Sequence, residues 1–134
     1  MSNDFQGGVE WPNWFVDEPD DIRSSYQLEV AASEFKCQGL EIDWAGLCWG
    51  DDFVWDAVSE KWLSKRLRGS RWVIDNDKTF AENRYRVLLT RARFGLVIWI
   101  PRPQGHELLV DAEGLDRTEA AMIRAGAKRL WSTI

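Results

Sequence analysis

The sequence predicts an α/β fold with a small, mainly parallel sheet of three to four strands and flanking helices. Three continuous apolar runs, at residues 28–32, 44–49 and 96–100, have the form of strands covered on both faces. Apolar residues at helical spacing fill residues 79–93, between the second and third runs. Strands that alternate with helices are typical of an α/β layer structure.

Length and composition limit the classes of protein that the chain can represent. Its 134 residues suffice for one small domain, and nine tryptophans indicate a folded chain with large anchors in its core. No apolar run approaches the roughly 20 residues of a membrane span, and residues 1–4 lack the basic and apolar character of a signal peptide. Cys37 and Cys48 have no paired metal-ligand spacing, so we interpret them as free thiols in a reducing cytoplasm. With His106 as the single histidine, the sequence predicts no metal site and no histidine-based catalytic set.

The net charge of −5 conceals an uneven distribution along the chain. Residues 1–60 contain 14 acidic and 2 basic side chains, a net charge of −12. Residues 61–134 contain 8 acidic and 15 basic side chains, a net charge of +7. This division allows a local basic surface on an acidic protein, although an evenly solvated mixed surface is the alternative.

The first half of the chain predicts a partly ordered acidic lead-in, residues 1–27, ahead of a domain at residues 28–134. Pro12 and Pro19 prevent one long helix in the lead-in, where Trp11, Trp14 and Phe15 are its expected anchors. Residues 28–32 predict the first strand, and residues 33–39 a loop or short helical turn. Residues 44–49 predict the second strand, which residues 50–52 (GDD) close.

The second half begins ambiguously, since residues 58–67 fit a helix and residues 71–74 fit a strand or hairpin arm. The clearest helix is at residues 79–93, where one apolar stripe consists of Ala81, Tyr85, Leu88, Leu89 and Ala92. We expect Gly95 to stop this helix and Pro101 to end the third strand, residues 96–100. A polar loop to Leu115 and a last helix follow, the helix opening with the capping pair Asp116 and Glu119 and stopping near Gly126.

Two motifs precede the second and third predicted strands. Residues 38–41 (QGLE) resemble motif V of superfamily-1 helicases, and residues 87–93 (VLLTRAR) resemble motif VI. Further matching segments are residues 14–15, 21–25, 28–32, 34–35, 37, 43–44, 48–49, 68–69, 72 and 83–86. Together they are similar to the C-terminal part of the bacterial Schlafen-type DNA/RNA helicase-like family, over roughly residues 9–134.

The resemblance implies the second RecA-like domain of a superfamily-1 helicase and assigns roles to particular residues. Arg91, and Arg93 as a second candidate, match the arginine finger that meets charge on the γ-phosphate of ATP. Gln38, Gly39 and Glu41 match positions that lie near the nucleotide. The alternatives are two surface arginines on an amphipathic helix, a glycine that a tight turn requires, and a surface carboxylate.

Full-length members of that family also have an N-terminal ATPase domain with a phosphate loop. No lysine of this sequence follows a glycine, so the Gly-Lys step of a phosphate loop is missing, and residues 73–75 (VID) are too short an apolar run for a magnesium-binding strand end. We therefore expect no ATPase activity and no cofactor for this chain alone. ATP and Mg²⁺ would enter only with a complementary P-loop ATPase half.

A basic cluster with an interleaved tryptophan is the candidate contact to DNA or RNA: Lys65, Arg66, Arg68, Arg71 and Trp72. A solvated face with a core tryptophan is the alternative.

Two functions remain open, a separate second half of a helicase-like ATPase that depends on nucleic acid or a partner, and a non-enzymatic interaction protein of phage or mobile-element origin. Large aromatics beyond the needs of a small core also predict a homodimer.

Overall fold

The computed structural model describes residues 8–37, 39–102 and 110–130. The chain divides into two compact units, with the division between Gly39 and Leu40. None of the described helices is both long enough and apolar enough to cross a membrane.

The first unit contains little regular structure. Helix α1, Trp11–Val16, begins with Pro12 in its first turn, and a 3-10 helix spans Ser25–Gln27. The predicted anchors contact one another, since the Trp14 and Phe15 rings lie edge to face with centroids 4.8 Å apart. The strand predicted at residues 28–32 is wrong, because those residues form no strand and Leu28 has a positive φ of 57° that interrupts an extended run.

A parallel pair of strands begins the second unit. Strand β1, Ile42–Cys48, pairs in parallel with strand β5, Ala92–Trp99, and the register joins Ile42 to Ala92 and Cys48 to Trp99. These strands confirm the apolar runs predicted at residues 44–49 and 96–100. A β-bulge between the first two residue pairs places an extra β5 residue opposite Asp43.

The other sheet is antiparallel, which corrects the prediction of one mainly parallel sheet of three to four strands. It has the order β2–β3–β4, with β2 at Phe53–Asp56, β3 at Lys61–Arg68 and β4 at Arg71–Asp75. The helix considered at residues 58–67 is wrong, whereas the hairpin arm at residues 71–74 is confirmed. Both turns use left-handed backbone, at Glu60 with φ 51° and at Gly69 with φ 60°.

Two helices complete the described part of this unit. Helix α2, Thr79–Leu89, confirms the helix predicted there, but it ends at Leu89 instead of residue 93. The hydroxyl of the capping residue, Thr90, donates to the Arg86 carbonyl at 2.9 Å. Gly95 is therefore not a helix stop and lies within β5. Helix α3, Ala112–Arg124, starts earlier than predicted, because Asp111 rather than Asp116 accepts a hydrogen bond from the backbone N–H of Gly114.

The core of the second unit is aromatic. Its buried members are Trp49, Phe53, Ala81, Tyr85 and Leu115. The Phe53 ring stacks on the Tyr85 ring with centroids 5.1 Å apart. The Trp62 ring also stacks on Phe53, with centroids 5.0 Å apart. Since these residues come from the end of β1, from β2 and β3, and from both helices, one core holds the hairpin and the parallel pair together.

Candidate nucleic-acid interface

The β3–β4 hairpin brings three arginines to one face of the antiparallel sheet. Arg66 lies opposite Val73, and Arg68 lies opposite Arg71 beside the turn at Gly69. Directly opposite residues share a face of a sheet, and residues two apart on one strand share that face too. All three arginines are exposed. The structure thus forms a compact arginine face, defined here as Arg66, Arg68 and Arg71.

The other two members of the predicted basic cluster lie on the opposite face. Trp72 pairs with Leu67 and is half-buried. The Lys65 side chain is only 12% exposed, and its ammonium group forms an ion pair with Asp111. Lys65 is therefore paired within the protein, where it connects β3 to Asp111, the residue that precedes α3.

Two carboxylates around Lys65 have opposite pKa shifts. Burial raises the pKa of Asp111, but hydrogen bonds from Lys65 and from the Gly114 backbone N–H outweigh it, so the pKa of Asp111 is lowered. Burial raises the pKa of Asp51 above its usual value, although the Asp111 backbone N–H and the Lys65 charge oppose that shift. Lys65 thus stabilises the charged form of Asp111 through a hydrogen bond as well as its charge, whereas it acts on Asp51 through its charge alone.

None of the three exposed arginines forms a side-chain hydrogen bond or ion pair with another residue in the described parts of the chain. Arg68 and Arg71 are like charges directly opposite each other, an arrangement that destabilises an antiparallel sheet. An anion bound between them would offset this repulsion. The arginine face can therefore act chemically as a receptor for phosphate groups.

The residues predicted to lie near a nucleotide occupy a different region. Arg91 precedes β5, and its Nη1 donates to the Leu40 carbonyl at 3.0 Å, while its buried Nε has no partner among the described residues. Arg93 is exposed and lies with its Nε 3.9 Å from both the Glu41 and the Asp43 carboxylates. Arg91 thus ties the start of β5 to the segment before β1, and Arg93 faces two acids.

These residues do not by themselves fit ATP. The Arg91 guanidinium is directed to a backbone carbonyl, and the carboxylates of Glu41 and Asp43 beside Arg93 would repel a polyphosphate. Gly39 has a φ of 83°, as a turn glycine does, and belongs to the first compact unit. Gln38 lies outside the described residues. Within residues 8–37, 39–102 and 110–130, no group of three or more His, Cys, Asp or Glu is placed to hold a metal ion.

A polar network at the end of β1 is absent from the sequence prediction. The Tyr85 hydroxyl donates to Asp52 Oδ1 at 2.7 Å and accepts from the Gly50 backbone N–H at 3.2 Å, and Arg84 forms an ion pair with the same Asp52. The available signals were the GDD turn and the position of Tyr85 on the apolar stripe. Helical spacing places Tyr85 in the core but carries no information about its hydroxyl group.

One face of the β1–β5 pair is apolar and largely exposed. Trp44 is 67% exposed, Trp99 is 59% exposed, and Val97 lies between them in the register. The Trp44 ring lies over Gly95, where any larger side chain would displace it. Parallel strands are usually covered on both faces, so this face is a second surface with room for a partner.

The fold and the arginine face define a small α/β domain with an exposed, arginine-rich surface. The chain belongs to the Schlafen group 3 family, through its DNA/RNA helicase domain, which matches residues 2–102. This match confirms the Schlafen-type helicase resemblance that residues 14–93 carry, and it includes both sheets and α2. Comparison with curated proteins and comparison with solved structures each gave no significant match.

Proposed function

We propose that this chain is a nucleic-acid-binding module of a helicase-type protein and that it has no nucleoside triphosphatase activity of its own. The observation that carries the proposal is the arginine face, with three exposed guanidinium groups that no described carboxylate neutralises. The family to which the chain belongs is described by a DNA/RNA helicase domain, which supports the same class of ligand.

The arginine face favours contact with the phosphate backbone over reading of bases. Guanidinium groups bind phosphate oxygens in a bidentate manner, and such contacts carry no sequence information by themselves. Trp72 could stack on a base only from the opposite face of the hairpin, so it would not contact the same stretch of strand as the arginines. We therefore expect weak binding to DNA or RNA without sequence preference and with strong salt dependence.

Replacement of Arg66 and Arg68 by glutamate tests this proposal. Fluorescence anisotropy with labelled single-stranded and double-stranded DNA and RNA at low salt should show loss of binding in this double variant. Three phosphate contacts predict a slope of log K against log salt of about −2 to −3, which the double variant should lose. The matched control, Arg86→Glu with Lys128→Glu, changes the net charge equally at two exposed positions outside the hairpin sequence and should retain most of the binding. Equal losses in the two double variants would contradict a local site.

Turnover of ATP would require an ATPase half from outside residues 1–134, in the same polypeptide or a separate one. This chain would then supply the second, RecA-like half, with Arg91 or Arg93 as the arginine finger and Glu41 near the nucleotide. Release of Arg91 from the Leu40 carbonyl would have to accompany that assembly, since its guanidinium cannot contact both groups in the same geometry.

The protein alone should show no phosphate release from ATP above background, with or without DNA or RNA, because it lacks a phosphate loop. A colorimetric phosphate assay measures this directly. Turnover that Arg91→Ala abolishes would show that the chain is itself an ATPase and would refute the proposal of a partner-dependent half.

A specific observation favours a second candidate, the non-enzymatic interaction protein. The exposed apolar face that contains Trp44, Val97 and Trp99 suits a protein partner better than a nucleic acid, because these three side chains are apolar. Under this alternative, Trp44→Ser with Trp99→Ser would abolish partner capture, and the arginine face would be dispensable. Nucleic-acid binding that requires Arg66 and Arg68 distinguishes the first candidate from the second.

A further inference from the structure

A cleft of about 400 Å³ lies within the first compact unit. All of its lining residues fall between residues 8 and 30, and its apolar side chains are those of Val9, Trp14, Ile22 and Val30. Ile22 is 84% exposed, so a carbon chain in the cleft would cover apolar surface that otherwise faces water. A volume of this size suits a small organic molecule.

The side-chain donors of two polar residues in the cleft are already used within the unit. Gln27 Nε2 donates to the Pro19 carbonyl at 2.7 Å and to the Asp21 carbonyl at 3.4 Å. The hydroxyl of the buried Ser24 donates to the Asp17 carbonyl at 2.8 Å. A ligand that offers only acceptors would have to break these bonds, so the cleft favours a ligand with donors of its own.

The cationic residue of the cleft, Arg23, is held chiefly by Asp21. Its Nε and Nη2 atoms donate to the two oxygens of that carboxylate at 3.0 and 2.9 Å, and hydrogen bonds from Arg23 lower the pKa of Asp21 to about 2. Glu10 accepts a longer bond, 3.3 Å from Nη1 to its Oε2, and Asp17 Oδ2 lies 3.3 Å from Nη2. One positive charge thus serves three carboxylates.

Two carboxylates of the cleft remain available to a ligand. Glu29 is exposed and forms no hydrogen bond or ion pair in the described part of the chain. Glu10 is also exposed, and its Oε1 atom has no such partner there. Together with Asp17 and Asp21 they give four negative charges against the one positive charge of Arg23, a net charge of −3. The charge of the cleft therefore favours a cation.

The Trp14 ring adds a second attraction for a cation. It is held edge to face by Trp11 and by Phe15, with centroids 5.6 and 4.8 Å apart, so its position is fixed by packing. The face of an indole ring attracts an ammonium group. Lys36 Nζ already lies over the neighbouring Trp11 ring, 5.4 Å from its centroid, so this aromatic cluster holds one cation of the chain itself.

We propose that this cleft binds a small aliphatic amine in its protonated form. The ammonium group would lie between the Glu10 and Glu29 carboxylates, beside Trp14. The carbon chain would lie against Val9, Ile22 and Val30. A free diamine and the lysine side chain of a peptide share this chemistry. The inference goes beyond the proposed function, because it concerns the first unit and involves no residue of the arginine face.

A series of amines from methylamine to pentylamine tests the apolar wall. Nuclear magnetic resonance of the full chain at pH 7 would follow the Trp14 indole N–H signal, which Trp14→Phe identifies. Affinity should rise about two- to fourfold with each CH₂ group, to a dissociation constant of about 1 to 10 mM for pentylamine. The Trp99 signal, from the second unit, should not move. Equal affinity for methylamine and pentylamine would overturn the proposal.

A neutral analogue and a metal ion test the charge without any variant. Pentan-1-ol has the same carbon chain and no charge, and it should bind at least tenfold more weakly than pentylamine. Mg²⁺ has twice the charge and no carbon chain, and at constant ionic strength it should not displace pentylamine. Equal binding of the alcohol, or displacement by Mg²⁺, would show that the cleft does not recognise an alkylammonium ion.

Paired substitutions test the position of the site. Glu10→Gln with Glu29→Gln should weaken pentylamine binding about threefold to tenfold, as expected for the loss of two exposed ion pairs. The matched control, Glu18→Gln with Asp20→Asn, removes two exposed charges of the same unit that do not line the cleft and should change the affinity less than twofold. Equal losses in the two double variants would show general attraction to an acidic unit and would overturn the proposal.

Ile22→Ser tests the carbon chain separately from the charge. Because Ile22 is exposed, the substitution should leave the fold and the affinity for methylamine unchanged and reduce the gain with chain length. An unchanged gain would contradict the contact proposed for the carbon chain.

Two further ligands distinguish the sources of the amine. Tighter binding of 1,4-diaminobutane than of Nα-acetyl-lysine methylamide identifies a free diamine, and the reverse order identifies a peptide side chain. If neither binds more tightly than methylamine, the proposal is wrong.

Discussion

Tyr85 joins the hydrophobic core to the polar network at the end of β1. Its ring lies 4.3 Å from the Trp49 ring, centroid to centroid, and its hydroxyl bonds to both Asp52 and Gly50. A side chain of Gly50 larger than hydrogen would meet the Asp52 carboxylate, so glycine permits this close approach. One residue therefore fixes the turn that connects the parallel pair to the antiparallel sheet.

Tyr85→Phe should lower the free energy of unfolding by about 1 to 3 kcal/mol, because it leaves the Gly50 N–H without its partner and removes a bond to Asp52. Urea denaturation followed by tryptophan fluorescence measures this loss. Tyr26→Phe is the matched control, since Tyr26 is 68% exposed and the same change there should cost less than about 0.5 kcal/mol. Equal stability of the two variants would show that the Tyr85 hydroxyl does not stabilise the turn.

At the scale of the element, Asp111 connects α3 to β3. It accepts the Gly114 N–H at 2.8 Å as the helix cap and pairs with Lys65 through its other oxygen. Asparagine is also a good cap, so Asp111→Asn should retain the helix and remove only the ion pair. With Lys65 left largely buried and without its acid, the expected loss at neutral pH is about 1 to 3 kcal/mol.

The same substitution predicts a dependence on pH. The pKa of Asp111 is lowered in the folded protein, so its contribution to stability is complete above the unfolded pKa of about 3.9 and is lost as the pH falls through the lower folded pKa. The stability difference between the native protein and Asp111→Asn should therefore be full at pH 7 and shrink as the pH falls below 4. Asp116→Asn, at the position of the capping residue predicted from the sequence, should have little effect at either pH. Urea denaturation at several pH values measures both, and a difference that does not depend on pH would refute the ion-pair account.

Two of the three strands that were predicted from apolar runs are present, whereas the strand that depends on alternation could not be predicted. Residues 44–49 and 96–100 form the expected parallel strands, although Trp44 and Trp99 are exposed, but residues 28–32 form no strand because Leu28 has a left-handed backbone. Residues 61–68 mix basic and apolar side chains without a clear period, and only the pairing with β4 shows them to be a strand. The same pairing separates Lys65 and Trp72 from the arginine face, because alternation assigns neighbouring residues to opposite faces. The predicted C-terminal end of α2 and the predicted N-terminal end of α3 were also wrong. Thr90 and Asp111 define these ends through side-chain hydrogen bonds, and several residues nearby in the sequence could have formed such bonds.

At the scale of the whole molecule, charge is divided between the two compact units. Residues 1–39 contain 8 acidic and 2 basic side chains, a net charge of −6, so residues 40–134 have a net charge of +1. The buried members of the core cluster all lie in the second unit, as does the arginine face. The first unit therefore contributes negative charge, but it contributes no buried residue to this core cluster and no residue to the arginine face.

Removal of residues 1–39 should leave a cooperatively folding protein that binds nucleic acid more tightly at low salt. The physical reason is long-range repulsion between the acidic first unit and phosphate, which acts over a Debye length of about 30 Å at 0.01 M salt and about 8 Å at 0.15 M. Fluorescence anisotropy should show a gain in affinity of about threefold to tenfold in 0.01 M salt that disappears near 0.15 M. A matched variant of the full chain, with Glu18, Asp20 and Glu29 changed to glutamine or asparagine, removes three negative charges without removing the unit and should show a smaller gain. If the truncated protein instead binds more weakly at every salt concentration, residues 1–39 make contacts of their own with the nucleic acid. The prediction that the first unit weakens binding by charge repulsion would then be wrong.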